Sequence, residues 1–322
     1  MSNSIRFQVV LAFFIATIIA PVFIPFLRRL KFGQAIREEG PQSHRKKSGT
    51  PTMGGIIFIT SIIVTIIVST LFTNHLNLTV DLMMLLLTLI GFGSIGFIDD
   101  FIIVVRKNNE GLKPKQKLLA QSLLAAIFFY MFLMNGYSTE LSFFNIFAIE
   151  LYWVFGLFIL FWMVGFSNAV NLTDGLDGLC GGVSVIVFSS FGMIAVAQQQ
   201  VDVALFCFTV VGALLGFLVF NLNPAKVFMG DTGSLALGAA VAAVSILLKQ
   251  ELLLAVVGLV YVIETLSVII QVLYYKRTKK RIFKMAPIHH HFEESGWSEW
   301  KVVIVLWTVG LICGILGLLI AI

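Results

Sequence analysis

Ten separate stretches of this chain are apolar for about the length a helix needs to cross a bilayer. They cover residues 7–27, 54–73, 81–98, 118–134, 150–170, 179–197, 203–220, 234–248, 251–273 and 302–321. At 1.5 Å of rise per residue, roughly 20 residues traverse the hydrocarbon layer. No water is available there to pair with backbone N–H and C=O groups, so each stretch has to be helical. The predicted fold class is an all-α polytopic membrane protein of about ten transmembrane helices, one domain over residues 1–322. Only 12% of the 322 residues are charged, about half the share in soluble domains. The first stretch is long enough to span and has no small-residue cleavage site, so it reads as a helix rather than a removable signal. Cys180, Cys207 and Cys313 lie in or beside apolar runs and read as buried free thiols.

An even number of spans puts both termini on one side. The loops at 28–53, 99–117, 221–233 and 274–301 fall on the opposite side and hold 20 of the 22 Lys and Arg residues; only Arg6 and Lys249 fall elsewhere. The positive-inside rule makes the crowded face cytoplasmic and both termini extracytoplasmic.

Carboxylates gather on that same face. "GFIDDF" places Asp99 and Asp100 at the predicted end of the third span. "NAVNLTDGLDGL" places Asp174 and Asp177 just past the fifth, and "NPAKVFMGDTGSL" places Asp231 just before the eighth. Asp231 with Thr232 also reads as a plain N-cap, which both residues favour. Asp99 and Asp100 are harder to explain as solvated caps. Adjacent carboxylates repel, and a helix C-terminus disfavours anions, so a cation is expected beside them. Carboxylates without a patterned Cys or His set suit a hard ion such as Mg²⁺ or Mn²⁺. Lys113, Lys115, Lys117, Arg45, Lys46 and Lys47 supply the complement for phosphate, Gly-rich turns let backbone N–H groups approach a ligand, and a helix starting near Ser234 offers its positive end. Together these parts imply chemistry on a phosphorylated substrate at the cytoplasmic surface.

"DD" at 99–100, "NLTDGLDG" at 171–178, "FMGDTGSLALG" at 228–238 and "PIHHHFE" at 287–293 resemble the bacterial polyprenyl-phosphate N-acetylhexosamine-1-phosphate transferase superfamily over essentially the whole chain. The histidine triplet followed by Phe-Glu resembles its phospho-N-acetylmuramoyl-pentapeptide-transferase family in particular. The resemblance implies an enzyme of the plasma membrane with a cytoplasmic catalytic face. It would transfer phospho-N-acetylmuramoyl-pentapeptide from UDP to undecaprenyl phosphate, releasing UMP and forming the first lipid intermediate of peptidoglycan synthesis. Through that step it would serve cell-wall biogenesis, cell shape and cell division. The implied cofactor is Mg²⁺, with Asp231 as its ligand. Asp99 or Asp100 would deprotonate the lipid phosphate or, in a two-step route, attack as nucleophile. Lys117, or Lys115 beside it, would join the catalytic groups. Lys47, Asn168, Asp174, Gly175, Leu176, Asp177, Asn221 and Phe228 match positions of the nucleotide pocket, with Phe228 stacking on uracil.

Three consecutive histidines cannot all face one ion, whether in a helix or in a strand, and a zinc site usually wants a spacing such as i, i+4. His289, His290 and His291 therefore do not read as a metal site. The resemblance implies that this loop borders the catalytic pocket and recognises the diphosphate-sugar, with His289 catalytic and His290 and His291 assisting. Glu264 lies within the ninth apolar run, where an ionisable residue is a functional hypothesis by default. It reads either as lining the lipid-substrate groove or as hydrogen-bonded inside the bundle. The loop at 135–150 suits a short hairpin.

Two rivals stand beside this reading. One is a transferase of the same superfamily for another UDP-N-acetylhexosamine. The other is a secondary transporter, although transporters place coupling sites near the midplane, often within internal repeats, and none is seen here. No nucleic-acid partner is implied, and a homodimer stays open.

Overall fold

The apolar runs fold as helices throughout. The computed structural model describes residues 2–29, 47, 49–73, 78–106, 111–144 and 146–322; Arg45 and Lys46 lie outside the described residues. The helices are α1 (Ser2–Arg29), α2 (Gly55–Val68, continued by a π-helical turn at Ser69–Thr73), α3 (Val80–Arg106), α4 (Pro114–Met134), α5 (Trp153–Thr173), α6 (Leu179–Ala197) and α7 (Val201–Asn221). They are followed by α8 (Gly230–Leu247), the short α9 (Leu253–Val257), α10 (Leu259–Thr278), the short α11 (Ile288–Glu293) and α12 (Glu299–Ala321). Ten helices among the described residues are long and apolar enough to cross a membrane, the number expected from the sequence.

The differences lie at the ends. α3 runs on to Arg106, eight residues past its apolar stretch, and α8 opens at Gly230, ahead of Ser234. α4 begins at Pro114 rather than 118; proline suits the first helical position because its missing N–H would have no partner there. Hydropathy marks where a helix meets the hydrocarbon, whereas caps and tertiary partners decide where it stops. The ninth stretch is divided at Gly258, the weakest helix former in the run, so α10 alone forms that span.

α8 is the axis of the bundle: 89% of its most apolar stretch is buried, against 22% for α1, α4 and α10. Its sequence, GDTGSLALGAAVAAVSIL, is mostly small residues, which let neighbouring helices approach closely where apolar contact with lipid offers no competing gain. α3 takes advantage at Gly96, where a Cβ would overlap the backbone of Asp231 and Thr232. This crossing sets Asp99 and Asp100, one turn further along α3, against the start of α8.

Away from that end, β1 (Glu140–Phe143) and β2 (Phe147–Glu150) pair antiparallel, Glu140 opposite Glu150, as the anticipated hairpin. Lys249 secures it, donating to the carbonyls of Ser138 and Glu140 while its Nζ sits 5.0 and 4.7 Å from the ring centres of Phe132 and Phe155. Next to it, Glu251 is wholly buried, 3.9 Å from the Lys249 ammonium, and burial pushes its carboxyl up to about 7.

Two consequences can be measured. Gly96→Val forces α3 from α8, and overpacking of this kind costs about 1–3 kcal/mol, which thermal unfolding in detergent would register as a lower Tm. The Glu251 carboxyl is held above its unfolded value of 4.5, so the folded state favours its protonated form. Its contribution to stability is full below about 4.5 and is lost as pH rises towards about 7. Glu251→Gln is expected to flatten that part of the stability–pH curve.

Candidate active site

The site begins with the positive end of α8. Its first N–H groups lack partners within the helix, and no side chain of the preceding residues caps them. The cap comes from another helix. Asp100 Oδ1 accepts the N–H of Asp231 at 3.3 Å, while Oδ2 accepts the N–H of Thr232 at 3.0 Å and its hydroxyl at 2.7 Å. The Asp231 N-cap expected from the sequence is thus corrected: Asp231 sits inside the first turn, and Asp100 does the capping. Gly230 makes room for it with a left-handed φ of +74°, and a Cβ there would meet Asp100 Oδ2 and Thr52 Oγ1.

The expectation that Asp99 and Asp100 face an unfavourable helix C-terminus is corrected too. α3 continues to Arg106, so the pair lies almost two turns inside it, and a positive helix end, rather than a negative one, faces Asp100. Asp99 is oriented differently, because neighbours on a helix point about 100° apart. Its Oδ1 accepts the N–H of Leu112 at 2.6 Å, and its Oδ2 lies 3.8 Å from Lys117 Nζ.

Lys117 joins the two helices. Its ammonium donates to Asp231 Oδ2, while Asn171 Nδ2 donates to Asp231 Oδ1 at 2.7 Å and to Ser234 Oγ at 2.9 Å. Lys115 is exposed on the first turn of α4, so the geometry selects Lys117 of the two candidates. Asp99, Asp100, Lys117, Asn168, Asn171 and Asp231 all line one cavity of about 800 Å³, together with Arg106 and Lys113 on its basic side and Ile103 and Leu118 on its apolar side. Asn168 is fixed by a 3.2 Å bond to Gln121 Oε1.

Asp174, Asp177, Asn221, Phe228 and Leu176 are not among the residues that line this cavity. Asp174 Oδ2 accepts the N–H of Gly230 at 3.1 Å. Burial holds its carboxyl well above the usual range, the Gly230 N–H offsets part of that, and the negative charges of Asp231 and Asp100 add to it. Asp177 is buried in a strut: Oδ1 pairs with Lys47 Nζ at 2.7 Å, and Oδ2 accepts from Asn223 at 3.1 Å and from the N–H of Ala225 at 3.0 Å. Glu299 completes it, accepting from Lys47, Asn223 and the N–H of Asp177. Asn221 bridges the N–H of Gly178 and the carbonyl of Val227. Phe228 bonds by its backbone to Pro51 and Gly54, both at 2.8 Å, with its ring half-buried. Leu176 is buried in the core.

The histidines divide. His289 is fully buried, its Nδ1 3.0 Å from Glu264 Oε2 and its Nε2 against Gly175. His290 Nδ1 lies 2.8 Å from Glu293, and His291 Nδ1 accepts the N–H of Lys284 at 3.1 Å. Of the two readings of Glu264, the groove is overturned: its exposure is 0%, and its partner is inside the bundle.

Sequence reasoning passed over Asn171, Gln121 and Arg106. Each carried a signal. Asn171 stands three residues after Asn168, Gln121 four after Lys117 and Arg106 seven after Asp99, spacings that share a helix face.

Comparison with known proteins identifies the family. A model described as glycosyl transferase family 4 matches residues 82–249, and one described as phospho-N-acetylmuramoyl-pentapeptide-transferase signature 1 matches residues 47–59. A phospho-N-acetylmuramoyl-pentapeptide-transferase of Bacillus cytotoxicus is 57% identical over 312 residues, 97% of this chain and 96% of that protein. The chain belongs to the phospho-N-acetylmuramoyl-pentapeptide-transferase family. Relatives so named from Staphylococcus epidermidis, 58% identical over 96% of this chain and 97% of that one, and from Listeria monocytogenes, 55% identical over 97% and 96%, extend the match. The protein is accordingly a multi-pass membrane protein of a phosphotransferase family. The family signature at 47–59 spans Lys47 of the strut and the Pro51–Gly54 segment that holds Phe228.

The two lysines separate experimentally. Lys117→Ala removes the cation facing Asp231 and Asp99 and is expected to lower transferase turnover by roughly 10²-fold, the scale for losing one charge-stabilising donor. Lys115→Ala is expected to leave turnover near that of the unaltered protein.

Proposed function

We propose that the chain transfers phospho-N-acetylmuramoyl-pentapeptide from its UDP-activated form to undecaprenyl phosphate, with release of UMP, on the cytoplasmic face of the plasma membrane. The observation that carries this reading is the convergence of Asp99, Lys117, Asn171 and Asp231 on one cavity at the start of α8, in a chain of this family from end to end. The basic loops support the orientation, with both termini extracytoplasmic, and every side chain the reading needs comes from the single domain of residues 1–322.

The donor set fits a hard divalent cation. Asp99 and Asp231 bring carboxylate oxygens to one cavity, and Mg²⁺ is commonly bound by one or two carboxylates with substrate phosphates taking other positions. Asp231 would hold it with Asp99 alongside, and the bound ion would supply neutralisation of the diphosphate charge.

The protein's own residues do the rest by position. Lys117 and Asn171 hold both oxygens of Asp231. Lys113 and Arg106 meet the acceptor phosphate, and Ile103 and Leu118 offer an apolar wall to the start of its tail. Asp99 receives any proton the acceptor carries. A phosphate monoester has its second pKa near 6, so at neutral pH that proton is mostly gone and orientation is the larger task. Asp100, its oxygens spent on α8, is a positioning residue rather than a base. The Asp174–Gly178 turn, with Phe228 and the Lys47 strut, cradles the nucleotide.

The test follows UMP release by the detergent-purified protein with a polyprenyl phosphate. UDP-N-acetylmuramoyl-pentapeptide and UDP-N-acetylglucosamine are compared, with and without Mg²⁺, for the unaltered protein and Asp231→Asn. Mg²⁺-dependent release from the muramoyl substrate alone, lost in Asp231→Asn, is the expected result. Release from the glucosamine substrate instead would overturn the specificity, and none from either, with the protein folded, would overturn the reaction. Within the site, Asp99→Asn is expected to shift the pH dependence of turnover, whereas Asp100→Asn lowers turnover and Tm together.

A further inference from the structure

Glu264 lies inside α10, on a membrane-spanning helix, with no exposed surface. A carboxylate there is costly unless it is paired. Among the described residues its carboxylate contacts run to one residue, through Oε2, while Oε1 is buried without a hydrogen-bond partner. Oε2 meets His289 Nδ1 at 3.0 Å and the main-chain N–H of His289 at 3.5 Å. The main-chain N–H can only donate, so Oε2 accepts there, and an ionised Oε2 accepts from the ring as well, which places the imidazole proton on Nδ1. The other ring nitrogen, Nε2, is buried and has no hydrogen-bond partner among the described residues. A histidine kept merely for packing would gain by satisfying both nitrogens, since an unmet buried acceptor is destabilising.

What covers Nε2 is the backbone of Gly175, in the Asp174–Gly178 turn; a Cβ at that position would overlap the ring nitrogen. This turn is the segment assigned above to the nucleotide, and Gly175 is itself half-buried. The neighbouring histidines are held in other ways. His291 Nδ1 accepts an N–H and so has its proton on Nε2, the opposite tautomer, and His290 is tied to Glu293. Of the three, His289 alone combines a buried carboxylate on one nitrogen with an unmet nitrogen facing the turn.

We propose that Glu264 is a positioning residue for His289. It fixes the imidazole as the Nδ1–H tautomer and aims the Nε2 lone pair at the Asp174–Gly178 turn, where a bound nucleotide-sugar displaces Gly175 and donates an O–H or N–H to it. The hydrogen bond made by one ring nitrogen sets what the other can do, as when a carboxylate holds a catalytic histidine in its working tautomer. The proposal rests on the assignment of His289 to the reaction.

Nitrogen-15 NMR of the histidine-labelled protein in detergent tests the tautomer directly. The signal lost in His289→Gln identifies His289. It is expected to show a protonated Nδ1 and an unprotonated Nε2, and to change in Glu264→Gln, whose amide can also donate. Kinetics test the consequence. Glu264→Gln should lower kcat/KM for the nucleotide substrate roughly ten- to hundredfold, the scale for removing a carboxylate that orients a histidine. The KM for polyprenyl phosphate should not change, Glu264→Asp should recover part of the loss, and adding Glu264→Gln to His289→Gln should cost nothing further. A wild-type His289 protonated on Nε2 would overturn the proposal even if the Glu264 variants failed to fold. Losses that add in the double variant, or unchanged kinetics in Glu264→Gln while His289→Gln is impaired, would overturn the positioning role alone. Full activity of His289→Gln would remove both that role and the place of His289 in the reaction.

Discussion

The helix dipole of α8 and the carboxylate of Asp100 form the contact from which the rest of the site is built. A helix that starts inside a bundle leaves several N–H groups without partners, and in a dry environment each is costly. Asp100 meets two of them and the Thr232 hydroxyl as well. This ties α3 to the buried central helix and explains why a carboxylate can reside where two acidic neighbours would otherwise repel. The cap engages both oxygens of Asp100, while its neighbour Asp99, lining the same cavity, turns to the N–H of Leu112 and towards Lys117. The different fates of two adjacent, chemically identical residues follow from the 100° step between them.

Charge is handled in the same economical way elsewhere. Asp231 is paired on one oxygen by an ammonium and on the other by an amide. Lys47, Asp177, Glu299 and Asn223 close a separate network that ties the segment before α2, the turn after α5, the loop after α7 and the start of α12. Removing one member of such a set leaves an unpaired buried charge, which is far more damaging than the set is stabilising. Residues of this strut therefore hold the shape of the Asp174–Gly178 turn, and Asp177, with both oxygens engaged in it, belongs to this group rather than to the cavity wall.

The cavity combines two surfaces that seldom meet. Arg106 and Lys113 face it beside carboxylates, while Ile103 and Leu118 line the same space. Arg106 and Ile103 come from the part of α3 that extends past its apolar stretch, and Lys113 and Leu118 from the start of α4. The overrun of α3 is what brings these charged and apolar side chains to one cavity.

Much of this was legible in the sequence. Ten spans follow from apolar length, because backbone polar groups in hydrocarbon allow only helices. The gathering of Asp99, Asp174 and Asp231 around the start of α8 follows from carboxylates crowding among basic loops, and the family follows from four short motifs. The sequence could not say that Asp100 caps α8, that Lys117 rather than Lys115 reaches Asp231, or that Glu264 turns inward to His289. Each depends on a helix overrunning its apolar stretch or on a contact between residues far apart in the chain: Asp100 and Thr232 are 132 positions apart, Lys117 and Asp231 are 114. Composition determines which segments must be helices and which charges need partners. Only the packing of those helices, set by small residues such as Gly96 on α3 and the alanines of α8, decides which partner each charge receives.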